Sequence, residues 1–376
     1  MSKPRLRRTA RMGLGAVLSG ALLAAGCGDA ATGASDGAAA WHLVEDLRIG
    51  SAASGQADEF TRVADVWVDD DLRLWVIDAI TTQVRVFDRT GTHVRSVGRK
   101  GSGPAELGIP IALERGPRGR IWIADSGNAR WAVFDTTGGF VEHHEYAPGM
   151  YRFGDRWGSD DLLYTYLSPS TLGTLDFRIV RRALGESGLE PVDTIPTPRL
   201  PYGESVPVSF VRDGRRMNMM IPAPFQATGV RLLDAGTGWW VGAPGTDYYV
   251  TRQSFSGDTL VRIRRDVTPV PVVQADIDLA LGRIGIDELD GGEVPRHHPP
   301  FSGLWTLPDG HLLVRRASEG GQSIDVFTPA GAYVTTAPLP HGAPLQLFHA
   351  GDDALYGAIQ DSIGVPYVVR IRIDRR

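Results

Sequence analysis

Cysteine is all but missing from this chain: Cys27 is the only one in 376 residues. With no second thiol, disulfides cannot staple the fold, so stability must come from packed elements. Long apolar runs are missing too. The most apolar stretch, Met12–Ala25, holds about 14 residues, too few to cross a hydrocarbon layer about 30 Å thick. Positive charge is in deficit, with 39 Lys and Arg against 44 Asp and Glu and a formal charge of -5. That sign argues against nucleic acid as a partner and against a basic patch for a membrane surface. Metal-ligand spacing is also lacking. Zinc wants three or four convergent ligands, and the nine histidines cannot be assembled into such a set.

Turn chemistry is abundant instead. The chain has 46 Gly and 25 Pro, with 42% hydrophobic and 22% charged residues, which suits an all-β fold. Val97–Val141 holds one full unit of a recurring pattern. Its second half reads as three short strands, Arg120–Ala124, Ala129–Asp135 and Phe140–His144, separated by turns at Ser126–Asn128 and Thr136–Gly139. A shift of 47 residues lays Glu59, Arg73, Trp75, Asp78, Val86, Phe87, Asp88, Thr90, Gly91 and Val94 on identical residues, ten matches over 36 positions. A shift of 240 lays Val326, Phe327, Gly331 and Val334 on Val86, Phe87, Gly91 and Val94. A period in the forties built of short strands marks a propeller blade.

The first 26 residues are not part of that fold. Lys3, Arg5, Arg7, Arg8 and Arg11 form a basic region ahead of Met12–Ala25, the pattern of a signal peptide. The Arg7-Arg8 pair has flanks that fit a twin-arginine signal poorly, so an ordinary export signal is expected. Leu23-Ala24-Ala25-Gly26-Cys27 resembles the bacterial lipobox, which implies lipidation at Cys27 and a membrane as partner through that anchor. Residues 27–40 read as a small-residue tether. In lipoproteins an Asp directly after the cysteine favours the inner membrane. Gly28 stands there, so the resemblance leans towards the outer membrane, on the periplasmic side of the envelope. Loss of five positive charges with the leader takes the formal charge from -5 to -10.

From residue 41 to 376 the expectation is one six-bladed propeller, a monomer. Trp41–Gly50 reads as a lone strand, and Leu345–His349, Ala354–Ile359 and Tyr367–Ile373 as three strands needing a fourth. A ring closed by the N-terminal strand in the C-terminal blade leaves no open edge. The units run about Thr61–Val97, Ile109–Tyr146, Tyr151–Pro198, Ser209–Pro271, Phe301–Leu339 and Leu345–Ile373. The fourth is the most eroded, with Trp239-Trp240, Tyr248-Tyr249 and Val261–Arg264 as strand cores. Ala275–Leu289 breaks the pattern. Ile277, Leu281 and Ile284 give it a helical reading, within an insertion at about 274–300 that lies over one face of the disc.

Ala124-Asp125-Ser126-Gly127-Asn128, then Arg130, Val133-Phe134-Asp135 and Gly138, is similar to the NHL repeat of six-bladed propellers. The copy at Ile77–Gly91 keeps Asp78, Val86, Phe87, Asp88 and Gly91 but lacks the Asn, and the fifth unit has Thr328 for an Asp. The chain also resembles bacterial six-bladed propeller lipoproteins in which a GxGPxE turn joins early blades. The resemblance covers about 90 residues well, and it implies a fold rather than an activity.

Candidate chemistry is sparse. Gly98–Glu106, with Arg99 and Lys100, could cradle phosphate, but a strand rather than a helix follows, so an inter-blade connector is expected. Gly33-Ala34-Ser35-Asp36-Gly37 matches the nucleophile-elbow spelling inside a tether that can neither strain nor expose a serine. Asp69-Asp70-Asp71 reads as a hairpin turn rather than a calcium loop. His143-His144 fall in an outer strand, His297-His298 in the insertion loop, and His349 in an inner strand. Most tryptophans are expected between blades. One member of each of the pairs Trp239-Trp240 and Tyr248-Tyr249 is expected to face solvent or a cleft, since neighbours on a strand point apart. No catalytic, metal or cofactor-binding residue is assigned, and no cofactor is expected. The candidate ligand face is Arg152, Arg156, His297, Arg315, Arg316 and His349, the arginines suited to an acidic ligand. The function expected is a binding module for a protein, peptide or glycan. The alternative is a metal-dependent lactonase- or lyase-like hydrolase working in the central channel.

Overall fold

A computed structural model describes residues 40–376 apart from 53–54, 146–149, 168–177, 202, 213–214, 283–293, 320 and 341–344. Cys27, the tether and the leader lie outside the described residues. Six four-stranded antiparallel sheets form the blades. Blade one is β2 (Val63–Val68), β3 (Leu74–Asp78), β4 (Gln83–Phe87) and β5 (His93–Val97). Blade two is β6 (Pro110–Arg115), β7 (Ile121–Asp125), β8 (Arg130–Phe134) and β9 (Phe140–Glu145). Blade three is β10 (Met150–Trp157), β11 (Leu162–Leu167), β12 (Arg178–Gly185) and β13 (Gly188–Pro196). Blade four is β16 (Val230–Asp234), β17 (Gly238–Gly242), β18 (Tyr248–Gln253) and β19 (Thr259–Arg265). Blade five is β20 (Gly303–Thr306), β21 (Leu312–Ser318), β22 (Gly321–Phe327) and β23 (Tyr333–Pro338).

Blade six closes the ring as expected. Its order is β1 (Trp41–Ile49), β26 (Pro366–Arg375), β25 (Ala354–Gln360) and β24 (Gln346–Ala350), with β1 outermost. Trp41 pairs with Arg375 and Ile49 with Val368, antiparallel throughout. The middle strands of each blade are covered by neighbouring blades on both faces, so they read as unbroken apolar runs. Every residue of β7 (IWIAD) is buried, whereas the outer strand β9 (FVEHHE) holds none. Each of the six blade-to-blade interfaces has its own apolar cluster. Trp75, Ile77 and Val86 of blade one meet Leu113, Ile123 and Phe134 of blade two. Trp240 and Val250 of blade four likewise meet Leu312 and Val314 of blade five.

The fourth unit needs correcting. Blade four begins at Val230, and the residues before it form a separate two-stranded sheet, β14 (Ser205–Arg212) with β15 (Arg215–Pro222). The periodic reading merged the two because both stretches are strand-like and only pairing separates them. The expected helix is present as α1 (Gln274–Gly282), and the rest of its expected span falls in 283–293, outside the described residues. Val206, Val208 and Ile221 of the hairpin pack on Leu281 and Ile277 of the helix. The two insertions, one on each side of blade four, therefore make one small layer.

Strand direction gives the disc two unlike faces. On one side lie short turns joining first to second and third to fourth strands. Asp135 shapes one of them by accepting the Thr137 and Gly139 N–H groups, and Gly138 has φ +86 there. The chain enters β1 on this side: the Trp41 ring lies tilted 5.3 Å from that of His311, and Arg375 pairs with Asp309 at 2.7 Å, both in the blade-five turn. The opposite side carries every long connection between blades, including the hairpin and the helix.

Candidate functional site

Carboxylates from the repeat do structural work on the long-connection side. Asp125, wholly buried, accepts the Gly108 and Ile109 N–H groups at 3.0 and 2.9 Å and the Asn128 amide at 2.6 Å. Arg130 beside it donates to the carbonyls of Gly103 and Glu106 at 2.6 and 2.8 Å. Asp78 and Arg85 repeat the arrangement one blade earlier. The Gly98–Glu106 loop is thus clamped by its own blade and leads into strand β6, so it is a connector. Asp69 accepts the Asp71 and Arg73 N–H groups and the Trp75 indole at 3.0 Å, a turn as expected.

The channel is lined by the free edges of the inner strands, and polar side chains cap those edges. Asp65 of β2 accepts the Val66 and Leu113 N–H groups, both at 2.8 Å. Burial pushes its carboxyl up to about 7, against these hydrogen bonds and the positive Arg156. Arg156 donates to the Leu233 carbonyl at 3.4 Å. His349 of β24 stands 6.4 Å from Trp67, and burial, then Arg156, lowers its imidazole to about 4. Among the described residues no group of three or more His, Cys, Asp or Glu is placed to hold a metal ion.

A roomy cavity lies elsewhere. A cleft of about 880 Å³ opens on the long-connection side, between the blade-four insertions and blade five. Phe225, Val267, Pro269, Val270 and Pro299 give it apolar walls, and Glu204, Thr246, Arg296, His297 and Arg316 give it polar ones. A second cavity of about 710 Å³ shares Phe225, Val270 and His298 and extends beneath α1 along Asp276, Leu279 and Ala280. The walls are tied together. His298 Nε2 meets Asp276 Oδ2 at 3.0 Å, linking loop to helix, and its ring stands edge-on to Phe225 at 4.9 Å. The Gln226 amide imitates a strand, accepting the Glu204 N–H at 2.6 Å and donating to the Glu204 carbonyl at 2.7 Å. Val272 and His298 N–H groups bond the carbonyls of Arg296 and Val270, pairing the two edges of the insertion.

The expected ligand residues do not share one face. Arg156 and His349 lie in the channel, and the Arg152 side chain is outside the described part of the structure. Arg315 donates to the Leu345 carbonyl at 2.8 Å and lies over Trp305 at 5.1 Å, on the wall of the second cavity. Arg316 lines the cleft while its Nε bonds Asp325 Oδ2 at 3.1 Å. Only His297 and Arg316 reach the cleft. The exposed-partner expectation for Trp239-Trp240 fails: both are buried, each on its own side of the blade, Trp239 against Tyr164 and Trp240 against Phe301. Tyr248 is buried, whereas Tyr249 is half-exposed beneath Arg264 at 4.8 Å. Asp65, Arg296, Phe225 and Gln226 had no signal in the repeat, since none recurs at the 47-residue shift.

No protein-family model matches the chain. Over 80 residues, 20% of the chain, it is 30% identical to mouse NHL repeat-containing protein 3 and 29% identical to the human protein. The match spans 23% of the length of either protein. Among solved structures it resembles a presumed exported protein of Bacteroides fragilis, with TM-score 0.50 and 13% identity over 90% of this chain and 96% of that one. The chain is a six-bladed propeller with an NHL-like stretch of 80 residues. In this propeller the carboxylate–arginine clamps belong to the early blades. Blade five replaces them with Asp325 held by Arg265 and Arg316, and uses Thr328 where the early blades use an Asp to shape the outer turn, its hydroxyl accepting the Ala332 N–H at 3.1 Å.

Proposed function

We propose that the propeller is an exported, lipid-anchored module that captures a ligand in the cleft on its long-connection side. The observation that carries this reading is the cleft itself. A cleft of about 880 Å³ lies at the insertions that depart from the repeat, while the blades are occupied with holding one another. Ligand sites favour concave, mostly apolar walls with a few convergent polar groups. The leader and the lipobox-like Leu23–Cys27 support export and anchoring, and the likeness to a presumed exported protein is consistent with export. A partner of the peptide, glycan or protein class fits a cleft continuous with a second cavity.

Filling the cleft tests this. Thr246, exposed at its rim, is replaced by tryptophan, and both proteins are used to capture partners from envelope extracts in mild detergent. A partner retained by the native chain and lost by Thr246→Trp supports the reading, and equal retention overturns it. Cys27→Ser should move the protein from the membrane to the soluble fraction, and unchanged membrane association sinks the anchor.

A channel hydrolase is the second reading, and Asp65 favours it. Asp65 and His349 both lie on inner strands and both feel Arg156, and a carboxyl brought to about 7 is suited to acid–base work. Metal analysis of gently purified protein separates the two readings: a stoichiometric divalent ion lost in Asp65→Asn or His349→Ala favours the hydrolase.

A further inference from the structure

We infer that the cleft recognises an organic carboxylate, an apolar body with one terminal acid group. This rests on the reading of the cleft as the binding site. Its charge is unbalanced. Asp325 is fully buried, and both Arg316 Nε and Arg265 Nη1 contact its Oδ2, at 3.1 and 2.7 Å. Two guanidinium groups therefore share one carboxylate, and a third bond, from the Thr336 hydroxyl at 2.6 Å, occupies the other oxygen. One positive charge is left over, and Arg316 carries it to the cleft wall. Arg296 adds a second. It is exposed at the mouth, as is His297, and among the described residues neither side chain has a partner.

The opposing charge is small. Glu204 is the one carboxylate among the residues lining this cavity, and Asp276 next door lies outside that lining, engaged with His298 at 3.0 Å. Among the lining residues, Arg296 and the surplus on Arg316 set against Glu204 leave a single positive charge. The rest of the surface is apolar, from Phe225, Val267, Pro269 and Val270. A phosphate would bring more negative charge than that balance compensates, and desolvating the excess is costly. A carboxylate brings one charge, and its planar pair of oxygens suits a guanidinium fork.

Two acid–amide pairs test this on the whole protein: decanoate with decanamide, and acetyl-Val-Pro-Phe with free or amidated C-terminus. A charge-assisted hydrogen bond should favour the acid by about tenfold or more in Kd, read by calorimetry. Arg296→Gln should erase that preference with an unchanged melting temperature, because the side chain is exposed. Thr246→Trp should abolish binding of both members. Preference for decanoate alone assigns a free acid, preference for the peptide acid alone assigns a chain terminus, and either supports the inference. Equal binding of acid and amide, or binding of neither, overturns it. If Thr246→Trp blocks envelope capture while acid and amide bind alike, the binding module stands and the carboxylate falls.

Discussion

Asp78 and Asp125 occupy the same place in consecutive blades, fully buried, each accepting N–H groups from the connector that leads into its own blade. Removing one carboxylate leaves an arginine buried without its counter-charge. Asp125→Ala should cost about 3–5 kcal/mol in urea unfolding, since Arg130 keeps its carbonyl partners but loses the anion 3.8 Å away. A loss below about 1 kcal/mol would mean those carbonyls suffice. In the channel, two groups pull in opposite directions. Asp65 is raised from 3.8 to about 7, so between those values the folded chain holds more protons and stability falls as pH rises. His349 is lowered from 6.5 to about 4, so in that window the unfolded chain holds more protons and stability rises with pH. The two slopes oppose each other. Asp65→Asn should therefore show a melting temperature that climbs from pH 4.5 to 6.5 more steeply than the native protein. A parallel pair of profiles would show that Asp65 does not titrate in this range. Asp65 is not visible in the repeat, because its blade-two counterpart is Ala112, whereas His349 was legible as an inner-strand residue.

Among elements, the third-to-fourth-strand turns copy one design. Asp88 and Asp135 each accept a threonine hydroxyl at 2.6 Å, which is the main reason their carboxyls sit below the usual range. Gly138 must take φ +86, and an added Cβ would stand 3.0 Å from Val97 Cγ2 of the neighbouring blade. Gly138→Ala should cost about 1–2 kcal/mol, read from the denaturation midpoint. No change would mean the turn relaxes. Such turns are what made the blades legible in sequence: Asp, Thr and Gly at fixed offsets encode them locally. The hairpin was not legible. Val206, Val208 and Ile221 look like any blade strand, and only their packing on Leu281 tells where they belong. The cleft was half legible. The insertion marked its place and His297 its rim, but Arg296 lies in a proline-rich loop with no periodicity to single it out, and Arg315 and Arg316 proved to be bound to Leu345 and Asp325.

At the scale of the whole molecule, nine residues at one end hold the other end. Trp41, Leu43 and Ile373 share a cluster with Leu313 and Ile324 of blade five, so β1 seals the blade-six sheet and part of its neighbour. Deleting residues 41–49 would bare the ten-residue edge of β26, a template for edge pairing. The shortened protein should form higher oligomers in size-exclusion chromatography and lose its single cooperative unfolding step. A monomer with unchanged unfolding would show that the remaining three strands suffice.

The entry of β1 on the tight-turn side fixes more than the ring. Trp41 lies on the side opposite the cleft, and β1, at about 3.3 Å per residue over nine residues, runs roughly 30 Å from there towards the cleft side. Were the protein moored by that end, as proposed, it would ride with its hatch facing open water: whatever entered the cleft would arrive from the bulk, and the mooring would stay out of its way.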